Sequence, residues 1–224
     1  MIRTIVDLVY PPRCVGCGHR GAWLCERCVG GFARLEPNYC PRCGYSTSSS
    51  ALCPACRHDP PSFDALLCAY RFEDPLRAAI HRLKYGGARQ LAEPLARAAL
   101  RSVGPLPQFQ AIVPVPLHPN RLAHRGFNQS ALLARSIGKS TGVPVYLDHL
   151  QRVRDTPSQI TRTARERRLN LEGAFQAELG DLVGAAILLV DDVATTGSTL
   201  RASASALRQA GAGRVSALVL ARAV

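Results

Sequence analysis

The sequence has no long uninterrupted apolar run, almost no lysine and few carboxylates, and each shortage narrows what the chain can be. Without about 18 consecutive apolar residues there is no candidate for a membrane-spanning helix. The opening MIRTIVDLVYPP is interrupted by Arg3 and Asp7 and stopped by Pro11 and Pro12. That is too short and too charged for a secretory signal, so the chain reads as cytoplasmic. Among 28 basic residues only Lys84 and Lys139 are lysine and the other 26 are arginine. Neither lysine stands in a Gly-x-x-x-x-Gly-Lys spacing, which excludes a Walker-type phosphate loop. Sixteen acidic residues leave a formal charge of +12. Arginine forks suit nucleic acid or a polyphosphate ligand, and a general preference for arginine over lysine accounts for the same numbers. A length of 224 residues with 47% hydrophobic content and a mean hydropathy of zero fits one good core, or a small module beside a core domain.

Cysteine is abundant. Eight of the nine fall in four C-x-x-C pairs, Cys14/Cys17, Cys25/Cys28, Cys40/Cys43 and Cys53/Cys56. In a reducing compartment such pairs argue for metal rather than disulfides. Gly18 and Gly44 follow the first and third pairs. A glycine there accepts positive φ and lets the turn aim N–H groups at the sulfurs, as in a zinc knuckle. Knuckle and partner recur after 26 to 28 residues, an internal repeat. Two consecutive four-cysteine sites are the simplest assignment, and a cross-braced pairing satisfies the spacing too. An iron–sulfur cluster is the rival metal, but duplicated short spacings with knuckle glycines favour Zn²⁺. Four thiolates leave no open coordination position, so the sites are expected to be structural. Loading two Zn²⁺ on eight thiolates would bring the net charge to about +8. Cys68, inside the apolar run 65–69, reads as a small buried hydrophobe.

The stretch ILLVDDVATTGST, Ile187 to Thr199, carries the chemistry. Ala186 to Val190 is a run expected to form a strand buried on both faces and ending at Asp191 and Asp192. Ala194, Thr195, Thr196, Gly197, Ser198 and Thr199 follow, then Leu200, Ala204, Leu207 and Gly211 at helical spacing. A loop of small and hydroxylated residues at a helix N-terminus suits a phosphate. Adjacent carboxylates suit the donors of a ribose diol, or Mg²⁺. One phosphate beside a diol describes a ribose 5-phosphate. Upstream, Pro60-Pro61 marks an expected boundary between a zinc module, residues 1–60, and an α/β domain, residues 61–224. Strands are expected over 65–72 and 111–116, and helices over 75–85, over 90–102 and from near Asn128. Arg121, His124 and Arg125 then lie on a basic loop, suited to a pyrophosphate or simply solvated.

The acidic stretch resembles the phosphoribosyl-pyrophosphate (PRPP) motif of type I phosphoribosyltransferases. The resemblance implies that Asp191 and Asp192 hold the ribose hydroxyls while residues 194–199 wrap the 5-phosphate. Transferases acting on 6-oxopurines usually carry an aspartate where this chain has Thr195, which implies another acceptor. The cysteine repeats, His81 to Tyr85, the VPVPL segment, Arg125 to Gln129, Gln159 through Asn170, Gly173 to Phe175 and the PRPP motif occur in that order. Together they resemble the ComF family, which joins a double zinc ribbon to a type I phosphoribosyltransferase fold, a parallel sheet flanked by helices. This likeness implies Mg·PRPP as ligand, with Lys84, Asn128, Gln129, Gln159, Arg167 and Asn170 contacting it. Arg125, with the arginines of a lid between Arg152 and Arg168, would stabilise the departing pyrophosphate. The family's association with competence and DNA uptake implies single-stranded DNA and DNA-uptake proteins as partners. The family often has Gly-Leu two residues after the glutamine, and here Thr161-Arg162 stands there. Two other classes fit the same residues: a non-catalytic, PRPP-sensing factor that binds single-stranded nucleic acid, and a scaffold whose ribbons dock a partner.

Overall fold

Four apolar runs too short for buried helices, and rich in Val, Ile, Leu and Ala, pair as a parallel sheet covered on both faces. The strands are β1 (Ala65–Arg71), β2 (Ala111–Pro114), β5 (Ala186–Ala194) and β6 (Arg214–Arg222), in the order β1-β6-β5-β2. A two-stranded antiparallel ribbon, β3 (Leu150–Arg152) with β4 (Phe175–Ala177), stands apart. The computed structural model describes residues 11–35, 38–155, 171 and 173–223. Gln159, Arg167 and Asn170 lie outside them, as does the part of the expected lid, between Arg152 and Arg168, that follows Asp155.

Alternation along β5 sends Leu188 and Val190 to one face and Ile187 and Leu189 to the other. On the first face lie α3 (Leu76–Tyr85), α4 (Ala92–Val103) and α6 (Gln129–Thr141), contributing Leu83, Leu95, Leu133 and Ile137. On the second lie α7 (Ser198–Gln209), through Leu200, Ala204 and Leu207, and the small ribbon through Leu150 and Phe175. Each such side chain, removed from water, contributes about 1.5–3 kcal/mol. After β2 the chain turns to the first face and after β5 to the second. The crevice at the carboxyl ends of β2 and β5 is therefore the topological switch point, where open α/β sheets bind ligands.

Three expectations change. The strand does not stop at the carboxylates: β5 continues to Ala194, with Asp191 opposite Val219 and Ala194 opposite Arg222. A central ladder is held by backbone bonds to β6, which do not depend on side-chain polarity. The basic loop contains a short helix, α5 (Pro119–Arg125). His118 Nδ1 accepts from the Asn120 N–H at 3.3 Å, Pro119 occupies the first turn, and Gly126 ends the helix at φ +76. The 111–116 run also ends early, at Pro114, which places its prolines at the sheet's carboxyl edge as expected.

The repeat in the cysteine spacing is a repeat in space. Bridges Arg13↔Arg20 and Tyr39↔Ser46 are each followed by a one-turn helix, α1 (Glu26–Gly30) and α2 (Pro54–His58). The first copy is fused to the main core through Leu24, Cys28 and Phe32, with Phe32 packing edge-on to Tyr70 at 5.1 Å. The second buries chiefly its own cysteines, Cys40, Cys53 and Cys56.

Candidate functional site

The two cysteine sets are consecutive rather than cross-braced. Cys14, Cys17, Cys25 and Cys28 form one cluster and Cys40, Cys43, Cys53 and Cys56 the other, with all sulfurs of a cluster within 4.8 Å. A tetrahedral centre with Zn–S near 2.3 Å needs sulfurs roughly 3.8 Å apart. Cys14 to Cys28 is 3.6 Å, Cys17 to Cys25 is 3.7 Å and Cys43 to Cys53 is 3.7 Å. Gly18 and Gly44 take φ +73 and +70, and the peptide N–H groups of Gly16 and Cys17 face the Cys14 sulfur. Burial and the neighbouring thiols push Cys28 up to about 12. Four thiolates so close need the counter-charge a divalent metal supplies, and these are two zinc-binding sites of four cysteines each.

At the switch point the acidic pair is buried: Asp191 is 8% exposed and Asp192 3%. Lys84, from the last turn of α3, puts Nζ 2.5 Å from Asp192 Oδ2. The contact is a close, largely buried ion pair. Burial alone would lower the Lys84 pKa, but attraction to Asp192 and Asp191 overrides it and the net shift is upward. Asp191 Oδ1 accepts from the Ser130 hydroxyl at 2.7 Å and from the Asp192 N–H at 2.9 Å. Burial first, and the charge of Asp192 second, raise the Asp191 pKa to about 7 against an ordinary 3.8.

Ser130 had no signal in the sequence, because only the packing of α6 on β5 brings it to Asp191. It also extends a hydrogen-bonded chain outward. The Gln129 amide approaches the Ser130 hydroxyl at 3.5 Å, and Arg125 Nη1 donates to Gln129 Oε1 at 2.5 Å. The Arg125 guanidinium lies 5.0 Å over the ring of Tyr85, next in sequence to Lys84. Arg89, also not anticipated, lies 4.7 Å over Phe127 and donates to the Gly126 carbonyl. Asn128 caps α6: Oδ1 accepts from the Ser130 N–H and Nδ2 donates to the Val115 carbonyl. Its contacts are those of a cap tying α6 to the end of β2.

After Ala194 the chain makes a tight turn in which Gly197 has φ +74 and α7 begins at Ser198. Thr196 Oγ1 and Ser198 Oγ are 2.9 Å apart, and the Ser198 N–H reaches Thr196 Oγ1 only at 3.4 Å. Among the described residues, the N–H groups of Thr195, Thr196 and Gly197 make no bond to other backbone. The loop therefore offers open amides at the positive end of a 12-residue helix.

A buried carboxylate with a raised pKa lowers stability, which gives a prediction. Below pH 3.8 folded and unfolded chains both hold the Asp191 proton, and the group contributes nothing. Between that value and about 7 only the folded chain holds it, so stability falls as pH rises, and above about 7 the cost is complete. Asp191→Asn keeps both acceptor contacts without the charge. Its melting temperature is expected to exceed that of the parent by roughly 5 °C at pH 8, with the gain vanishing near pH 4. Thermal unfolding across that range checks this, and a gain independent of pH would contradict it.

Residues 5–57 match the family model described as a double zinc ribbon domain, and residues 123–223 that of a phosphoribosyl transferase domain. The chain is 36% identical over 207 residues to "DNA utilization protein YhgH" of Salmonella typhi, covering 89% of this chain and 88% of that one. It is 33% identical over 209 residues to "Competence protein F" of Haemophilus influenzae, covering 89% and 90%. Among solved structures, the glutamine PRPP amidotransferase of B. subtilis aligns at 23% identity with a TM-score of 0.39, over 58% of this chain and 25% of that one.

Proposed function

The chain belongs to the ComF family, a double zinc ribbon joined to a phosphoribosyltransferase domain, and from that premise we propose that it binds Mg·PRPP at the switch point and transfers the 5-phosphoribosyl group with release of pyrophosphate. One observation carries this reading: a buried acidic pair, whose first member Asp191 is electrostatically costly to ionise, stands directly before an open-amide loop at a helix N-terminus. Costly buried charge persists where a ligand needs it. Asp191 and Asp192 accept hydrogen bonds from the two ribose hydroxyls, and the 194–199 loop donates to the 5-phosphate. Lys84, Arg89 and Arg125 face the pyrophosphate. As the bond from C1 to the pyrophosphate oxygen breaks, positive charge develops on the ribosyl ring and the bonding pair leaves with the pyrophosphate. The arginines stabilise the departing anion, and the acceptor then attacks C1.

A carboxyl that burial and the neighbouring Asp192 keep protonated to about pH 7 also suits a hard divalent cation nearby. Mg²⁺ bound with PRPP would be faced by Asp191 and Asp192 and would neutralise part of the leaving group's charge. In this proposal the zinc module, residues 1–60, gives way to the transferase domain, residues 61–224, at Pro60-Pro61.

A second reading, a PRPP-sensing factor that binds single-stranded nucleic acid, is favoured by a groove of about 640 Å³ between the first ribbon and the turn after α3. Arg13, Trp23, Arg82, Gly86, Gly87 and Gln90 line it, an interleaving of cations and an aromatic that suits phosphates and a stacked base. The relatives' names, DNA utilization and competence, support a role in DNA uptake. A single screen separates the readings: pyrophosphate release from PRPP with bases, nucleotides and single-stranded DNA as acceptors, run with nucleic-acid binding at about 50 and 200 mM salt. Release with one acceptor class is the expected result. Salt-sensitive DNA binding without any release would favour the sensor.

A further inference from the structure

The carboxylate meant for a ribose hydroxyl is already engaged within the protein. The Lys84 ammonium lies 2.5 Å from Asp192 Oδ2, with side chains only 22% and 4% exposed. A neutral diol offers Asp192 two ordinary hydrogen-bond donors, a weaker partner than a cation in a water-poor site. Displacing Lys84 for a diol alone would strand a largely buried ammonium, which is unfavourable unless a new anion takes it. The surroundings show where that anion would come from. Tyr85, 66% exposed, carries the Arg125 guanidinium over its ring, and Arg89 is fastened to Gly126 directly after Arg125. Lys84 thus stands at the edge of a cationic cluster. The backbone beyond Tyr85 is Gly86 and Gly87, the latter at φ +64, a turn with little side-chain bulk to restrain the end of α3.

We propose that Lys84 is the specificity-determining residue that makes this site select a ribose 5-phosphate bearing a pyrophosphate over the same sugar without one. The ammonium holds Asp192 and lets go only for a ligand whose own polyanion, lodged against Arg125 and Arg89, receives it. Ribose 5-phosphate fills the loop and the acidic pair but gives Lys84 no new partner, so it binds against the ion pair. The proposal rests on the PRPP reading of the site and adds the origin of discrimination between two ligands that share phosphate and diol.

Calorimetric titration of the whole zinc-loaded chain with Mg²⁺ and either PRPP or ribose 5-phosphate tests it, at pH 8 where Asp191 is ionised. The parent chain is expected to prefer PRPP by at least about thirtyfold. In Lys84→Met the two affinities move in opposite directions, PRPP weakening and ribose 5-phosphate strengthening, until the preference falls below about threefold. Lys84→Arg keeps the preference. Should Lys84→Met fail to fold, Lys84→Gln, which offers Asp192 a neutral donor, is expected to give the same collapse. A preference unchanged in the neutral variants, or both ligands weakened by the same factor, overturns the proposal while leaving the PRPP site in place. No PRPP binding by the parent overturns both.

Discussion

In the double variant Asp191→Asn/Asp192→Asn, calorimetric titration with Mg·PRPP is expected to show affinity reduced by at least a hundredfold. In the proposed site each carboxylate would offer the ribose a charge-assisted bond worth about 1.5–3 kcal/mol, and an amide oxygen would restore only part of it. Two such losses amount to roughly 3–5 kcal/mol, or a factor of 10² to 10⁴. The fold should survive. Asparagine at 191 retains the bonds from Ser130 and from the Asp192 N–H and removes a carboxylate whose ionisation opposes folding at neutral pH. Asparagine at 192 works the other way, leaving the Lys84 ammonium beside a neutral amide. The two changes partly offset, so the melting temperature should stay within a few degrees of the parent's while binding is lost. Full affinity in a folded double variant would show that the acidic pair does not hold the sugar.

The second large effect concerns the zinc-binding sites, and the two are not equivalent. Replacing Cys28 by serine is expected to lower the main unfolding transition by about 10 °C, whereas Cys56→Ser should cost the main transition much less and appear as a separate, earlier loss of about one Zn²⁺ per chain. Cys28 shares a core with Leu24, Phe32, Tyr70 and Leu95, so unravelling the first ribbon exposes apolar surface of the α/β domain itself. Cys56 belongs to a cluster made of cysteines alone. Beside the close approach of Gly44 to the Leu66 and Arg222 side chains, the second ribbon is attached through polar contacts: the Leu66 N–H to the Pro41 carbonyl, Arg42 to the Phe63 carbonyl, and Arg201 of α7 to Asp59 just after α2. Such contacts are individually modest and water can replace them. Differential scanning calorimetry with metal analysis of both variants checks the order, and equal losses would show that the two ribbons unfold as one unit.

The features that point to Mg·PRPP are encoded in the chain in different ways. The cysteine spacings were sufficient by themselves because ligand count, knuckle glycines and repeat length are local. The strand over 186–190 and the helices flanking it were legible for the same kind of reason, since periodicity and turn chemistry act within a few residues. The extension of β5 through Asp191 to Ala194 was not, because it depends on β6 offering ladder bonds out to Arg222. Nor was α5, whose start depends on an imidazole accepting a backbone bond, a weak signal in a run of basic residues.

What the chain's order of residues determined alone was the inventory: two thiolate quartets, an acidic pair ending an apolar strand, a small-residue turn behind it, and a surplus of arginine. Only the folded arrangement decided that the quartets are consecutive, that Ser130 and Lys84 divide the two carboxylates between them, and that Arg125 reaches the acidic pair through Gln129. Lys84 and Asp192 are 108 positions apart in the chain, and Ser130 lies 61 from Asp191. Contacts of that separation are set by which helix packs on which strand, and hence by burial summed over whole elements rather than by any short motif.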